Sequence, residues 1–273
     1  MPKSLSLAVQ KLDTIQVEKV WGRDVLPAPF VAHNGERIGE IWFDPIPACD
    51  RLLVKYLFTS QKLSVQVHPS SQNALQGEAG KEECWLVLDA EPDAKLAIGF
   101  KQKYSPQDIE AAALDGSIED LLEWHTAQEG DVFFMPAGTV HAIGPGLSLV
   151  EVQQNSDTTF RLYDYGRPRQ LHLERGLAVA DCGPYAATHR GKVTGEEQCL
   201  VHEAHFRLDR ALGKPSETLR EVYREGVLVL PLKGQVSSAV TQDRAEPGQC
   251  LYANDIDFLD FSEADISLLV GEG

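Results

Sequence analysis

Gly130-Asp131-Val132-Phe133-Phe134-Met135-Pro136-Ala137-Gly138-Thr139-Val140-His141 is the stretch whose reading decides the fold. The apolar run 132–135 reads as a strand, Pro136 and Gly138 close it in a tight Pro-x-Gly turn, and His141 heads the returning strand. A second stretch, Leu63-Ser64-Val65-Gln66-Val67-His68-Pro69, alternates strictly. As a strand it turns Leu63, Val65 and Val67 to a core and Ser64, Gln66 and His68 to the opposite face, and Pro69 ends the pairing. A buried face of Ser, Gln and His is costly unless something binds those groups.

Working outward, the chain is built of short apolar or alternating runs. Ile38–Phe43, Leu52–Phe58, 63–68, 84–88, 131–136 and 147–153 are separated by Gly, Pro, Asn and Asp, the pattern of a sandwich or barrel. One helical insert interrupts them at about 105–125: Ser105, Pro106 and Asp108 give a cap, a first-turn proline and an acid at the helix start. A second short helix is expected from Ser117 through Trp124. Residues 167–200 are mixed, and from about Phe206 a further strand series runs to the end. The expected division is 1–175, a lobe with the insert, and 176–273, a smaller β lobe.

The bulk numbers bound the function. The 273 residues carry 41 acidic and 25 basic side chains, a formal charge of −16, which disfavours nucleic-acid and anionic-membrane partners. An anionic substrate then requires basic residues clustered in its pocket. No run approaches the ~18 apolar residues of a membrane span, and the first residues lack the pattern of a secretory signal. Five scattered cysteines without a CxxC pair suit reduced thiols, so a cytoplasmic protein is expected.

The 130–141 stretch resembles the second motif of the cupins, G-x5-P-x-G-x2-H, although Pro145 stands where that motif ends in Asn. Gln66-x-His68-Pro69, then Lys81-Glu82-Glu83-Cys84-Trp85, then Pro136-x-Gly138-Thr139-x-His141 resemble the type I phosphomannose isomerases in their short bacterial form. The likeness extends through Lys19-Val20-Trp21-Gly22, Gly39-Glu40-Ile41-Trp42, Leu52-Leu53-Val54-Lys55 and the run from Glu151 to Tyr165, covering about residues 17–175. Gly22 is followed by Arg23 where the family often has a second glycine.

The resemblance implies a mainly β fold: a cupin/jelly-roll β-barrel with a small helical insert and a second, smaller, degenerate cupin-like β lobe. It implies an enzyme interconverting mannose 6-phosphate and fructose 6-phosphate through a metal-stabilised cis-enediol(ate). It places one zinc ion per chain on Gln66, His68, Glu83 and His141; two imidazoles, a carboxylate and an amide oxygen equally suit iron, manganese or cobalt. Arg161, Asp157, Glu151 and Lys81 are the expected catalytic groups, with the general base open between Asp157 and Glu151. Ser64, Lys55 and Arg167 are expected to bind the phosphorylated hexose, in a monomer or homodimer. The segment 246–254 resembles the entry strand of a second cupin motif, but no P-x-G-x-x-H follows, so the last lobe is expected to lack metal. Two other readings stand beside this one: a dioxygenase-like metal-dependent cupin, which would favour H-x-H over Gln66-x-His68, and a non-catalytic sugar-phosphate-binding cupin.

Overall fold

The structure is a computed structural model that describes residues 8–33 and 35–273; residues 1–7 of the first expected lobe lie outside the described residues. Two antiparallel sheets face each other and form the barrel. The larger has seven strands in the order Arg190–Lys192, Asp131–Met135, Glu83–Ala90, Leu147–Gln154, Leu52–Phe58, Ile38–Phe43 and Thr14–Arg23. The smaller has five: Phe160–Tyr163, Val65–Val67, His141–Ile143, Lys95–Phe100 and Leu122–Thr126. This is the mainly β jelly roll that the sequence predicts.

The central strands of the larger sheet are buried on both faces, so their alternation separates two environments rather than core from water. In Leu52–Phe58, residues Val54, Tyr56 and Phe58 join the seam against the second lobe, while Leu57 packs inside the barrel and Leu53 and Lys55 line its cavity. Leu147–Gln154 repeats the division, with Val150 and Val152 outward and Leu149, Glu151 and Gln153 inward. Polar residues in these strands thus fall on one inner face at fixed register.

The second lobe has a six-stranded sheet, Val9–Lys11, Leu251–Ala253, Val227–Gly234, Ala264–Gly271, Arg207–Leu212 and Gln198–His202. A three-stranded sheet, Arg244–Ala245, Val236–Ser238 and Leu259–Asp260, accompanies it. Leu228, Leu230, Leu268 and Val270 meet Val54, Tyr56 and Phe58 in a continuous apolar seam. Each large side chain fully buried there contributes about 1.5–3 kcal/mol, so the seam rather than any ion pair joins the lobes. The interior of the second lobe is filled by Val229, Leu251, Ile256, Leu269 and other apolar residues. Two strands lie across the 175/176 line from their sheet partners: Val9 pairs with Ala253, and Arg190 with Phe133.

The insert begins as read. Ser105 caps the helix Pro106–Asp115 in a reciprocal capping box with Asp108, and Ile109, Ala112 and Ala113 are buried against the five-stranded sheet. The second helix is shorter than expected, Ile118–Leu121. Residues 122–126 form an edge strand instead, because Leu122 alternates inward and the backbone pairs with Lys95–Phe100. A helix at Leu173–Val179, within the mixed stretch, packs on the same sheet through Gly176, whose missing Cβ leaves room for Leu162. No helix among the described residues is long and apolar enough to cross a membrane.

Candidate metal centre

The two histidines are brought together by neighbouring strands: Gln66 sits directly opposite His141 in the antiparallel pair, and His68 follows the end of the same strand. The Pro-x-Gly turn does this work. Gly138 holds φ +88, a conformation that L side chains rarely adopt, and its N–H donates to the His68 carbonyl at 2.8 Å. Glu83 reaches the same point from the facing sheet, so His68, Glu83 and His141 present ligand atoms within 4.8 Å of one another, all buried.

The hydrogen bonds fix what each ring offers. His68 Nδ1 lies 2.9 Å from the Thr158 carbonyl and His141 Nδ1 lies 2.9 Å from the Thr139 carbonyl. A carbonyl only accepts, so in each neutral ring Nδ1 carries the proton and the Nε2 lone pair faces inward. His68 Nε2 is 3.4 Å from Glu83 Oε2 and His141 Nε2 is 3.3 Å from Oε1. Burial, reinforced for His68 by Lys81, holds both imidazoles below their ordinary pKa; that of His141 is pushed down to about 4. Burial would raise the Glu83 carboxyl, but Lys81 and the two histidines hold it well below the usual range.

This group fits a divalent cation. Two lone pairs and a carboxylate converge on one point, where Lys81 Nζ, 3.2 Å from His68 Nε2, and the Gln66 amide supply the nearby donors; a bound cation would take all three ligand atoms at once. Among the described residues neither Glu83 oxygen has a hydrogen-bond partner; Lys81 Nζ stands 2.7 Å from Oε2, an ion-pair distance without hydrogen-bond direction. Gln66 Nε2 lies 3.3 Å from His141 Nε2, and its Oε1 accepts from Ser64 Oγ at 3.2 Å. Half a turn of the amide presents its oxygen to the centre instead, and the hydroxyl can accept as well as donate. Both carbonyl contacts to the imidazole Nδ1 atoms are of the kind that orients histidine ligands.

A cavity of about 550 Å³ opens beside this centre, with Lys19, Glu40, Lys55, Lys81, Arg161 and Arg169 in its walls. Lys81, Lys55 and Ser64, singled out from the sequence, are buried in it. Lys55 Nζ is 2.8 Å from Glu151 Oε1, and Trp85 Nε1 donates to Glu151 Oε2 at 2.9 Å, so both oxygens of Glu151 are engaged. Asp157 lines the cavity from an exposed loop. Arg161 lies opposite Gln66 in the sheet; its Nη1 donates to the Gln170 carbonyl at 3.0 Å, and its Nε is buried without a partner.

Arg167 is not among the residues lining this cavity. Tyr165 and Gly166 both have positive φ and Arg167 N donates to the Asp164 carbonyl at 3.0 Å, a two-residue reversal that turns Arg167 away. It donates instead to the Lys62 carbonyl and lies over the Tyr165 ring. Arg169 takes the place in the wall, held by two 2.6 Å bonds to the buried Asp164. Burial and then the nearby Arg169 lower the pKa of Arg161, the mark of crowded positive charge. Sequence reading also passed over Lys19 and Glu40, although both stand in the quoted motifs; the signal available was that Glu40 and Trp42 share a strand face.

No protein-family model matches the chain. It is 39% identical over 158 residues to the mannose-6-phosphate isomerase ManA of Bacillus subtilis, covering 55% of this chain and 49% of that one. The chain spans about half the length of the curated relatives it matches. The crystal structure of a Bacillus subtilis mannose 6-phosphate isomerase superposes with a TM-score of 0.74 at 21% identity, covering 97% of this chain and 99% of that one. A zinc-bound structure of mannose 6-phosphate isomerase gives 0.73 at 14% identity, with 97% and 99% covered. The chain therefore has the fold of the mannose-6-phosphate isomerases and, over about half its length, is related to them in sequence.

Proposed function

We propose that the protein is an aldose–ketose isomerase interconverting mannose 6-phosphate and fructose 6-phosphate, with Zn²⁺ held by Gln66, His68, Glu83 and His141. The observation that carries this reading is the buried His68–Glu83–His141 group, joined through Gln66 and Lys81 to a cavity walled by Lys55, Lys81, Arg161 and Arg169. The named relatives share sequence with this chain and support the same reaction. When bound, zinc supplies Lewis-acid polarisation of a substrate oxygen.

The chain's own residues do the rest. Arg161 and Arg169 offer guanidinium donors for a phosphate or an oxyanion, and Lys81 and Lys55 line the cavity as further cations. Ser64 holds the Gln66 amide. Arg167 acts through the 164–167 turn and the Lys62 carbonyl rather than on substrate. Isomerisation moves a proton between C2 and C1. Among the described residues no ion pair or hydrogen bond engages the Asp157 carboxylate, so Asp157 is assigned as the base. Glu151, with both oxygens engaged, is assigned as the fixed anion that holds Lys55. The 176–273 lobe backs the barrel without metal ligands, and the protein works in the cytoplasm as a monomer or homodimer.

The test is isomerisation of mannose 6-phosphate by purified protein, read as fructose 6-phosphate, before and after chelation and zinc add-back. Turnover that chelation abolishes and zinc restores is expected, with Asp157→Asn lowering kcat by about 10²–10⁴. Zinc-loaded protein that turns nothing over refutes the isomerase reading.

A further inference from the structure

Glu40 sits on Ile38–Phe43, where it is 7% exposed and lines the cavity. Three groups meet its Oε2: Trp42 Nε1 donates to it at 2.6 Å, Lys19 Nζ lies at 3.5 Å and Lys55 Nζ at 4.0 Å. Among the described residues no hydrogen bond falls on Oε1. Glu83 stands among the imidazoles and Glu151 has both oxygens engaged. Glu40 is therefore a carboxylate of this wall with one oxygen clamped and the other free. Burial would raise its pKa, but Lys55, Lys19 and the Trp42 N–H bring it below the ordinary value, so it is ionised and only accepts.

A fixed acceptor in a polar cavity recognises an O–H group. Its place says which one: Glu40 stands three strands from Glu83 in the sheet order and is linked to it through Lys55, Glu151 and Lys81. Among the described residues no hydrogen bond or ion pair joins Glu40 to His68, Glu83 or His141, whereas Lys81 contacts both His68 and Glu83. We propose that Glu40 Oε1 accepts a hydroxyl of the sugar away from the reacting carbons, with Trp42 as the residue that positions it. The inference rests on the isomerase reading for the identity of the sugar.

The experiment measures calorimetric Kd for mannose 6-phosphate, KM and kcat on the zinc-loaded wild type, Glu40→Gln and Trp42→Phe. The phenylalanine keeps a ring face for Lys55, which lies 5.5 Å from the indole centroid, and removes the donor together with part of the ring. Glu40→Gln is expected to raise Kd and KM together by about tenfold or more, with kcat within threefold and an unchanged melting temperature. Trp42→Phe is expected to shift both the same way by less. A wild type that binds without turnover refutes the isomerase reading alone, and the Kd comparison still decides the role of Glu40. Unchanged Kd in Glu40→Gln, a fall in kcat at constant Kd, or a wild type that does not bind the sugar phosphate overturns the proposal.

Discussion

Trp85→Phe probes a buried hydrogen bond to a carboxylate on the inner face. Trp85 is fully buried, donates to Glu151 Oε2 at 2.9 Å, and stands edge-on to His141 at 5.3 Å between centroids. Phenylalanine keeps an aromatic edge there but leaves a buried carboxylate oxygen without its donor. A hydrogen bond to a charged group is worth about 1.5–3 kcal/mol. The smaller ring forfeits a further ~1–2 kcal/mol of packing. The sum, about 2.5–5 kcal/mol, lowers the melting temperature by about 4–10 °C in a chain of this size. The assay is thermal unfolding of Trp85→Phe, Glu151→Ala and the double variant. In the Glu151→Ala background the substitution should cost only the packing part, giving a coupling of about 1.5–3 kcal/mol. A melting temperature within 2 °C of wild type, or an equal loss in both backgrounds, refutes the reasoning.

Three further outcomes are expected. In metal-free protein, His68 and His141 have folded pKa values below the unfolded ~6.5, so the unfolded chain binds more protons on acidification. Stability is complete above pH ~6.5 and falls as pH drops toward 4, with Glu83 adding loss below its ordinary range; a flat melting temperature from pH 7 to 4 contradicts this. His141→Ala should abolish stoichiometric metal binding measured by elemental analysis, and retention of one tight zinc per chain would remove His141 from the ligand set. Arg169→Ala should raise KM for the sugar phosphate by about 10–100-fold and Arg167→Ala by less than threefold; the reverse order would return Arg167 to the cavity.

The centre was legible because strand alternation and turn chemistry are local. Ser64, Gln66 and His68 share a face by period two, and Gly138 must be glycine at φ +88, so both ligand strands could be placed by inspection. Glu83 came from resemblance, since its position depends on a facing sheet that no spacing encodes. Arg167 and Arg169 differ only by the left-handed pair at Tyr165 and Gly166, and a non-glycine residue in that conformation gave no warning. The expected second helix runs on to Trp124 because Ser117 and Asp120 mark a helix start but nothing local marks its end; pairing of residues 122–126 with Lys95–Phe100 overrides that local preference. Glu40 was missed because a charged residue is ordinarily placed in water, whereas here indole and ammonium groups around it make the burial tolerable.

The pairing of Val9 with Ala253 sets a schedule for the growing chain. At about 5–20 residues per second, the ribosome needs roughly 12–50 s to deliver that partner after the first strand emerges. Arg190–Lys192 closes the edge of the barrel sheet well before that, so the barrel can assemble while Val9–Lys11 still waits. Until then the backbone of Val9–Lys11 and the Val9 side chain, buried in the folded chain, stay without their partners. A fragment cut at residue 175 would carry the strand indefinitely unpaired, so truncations meant to isolate the barrel should begin after Lys11 and extend past Lys192.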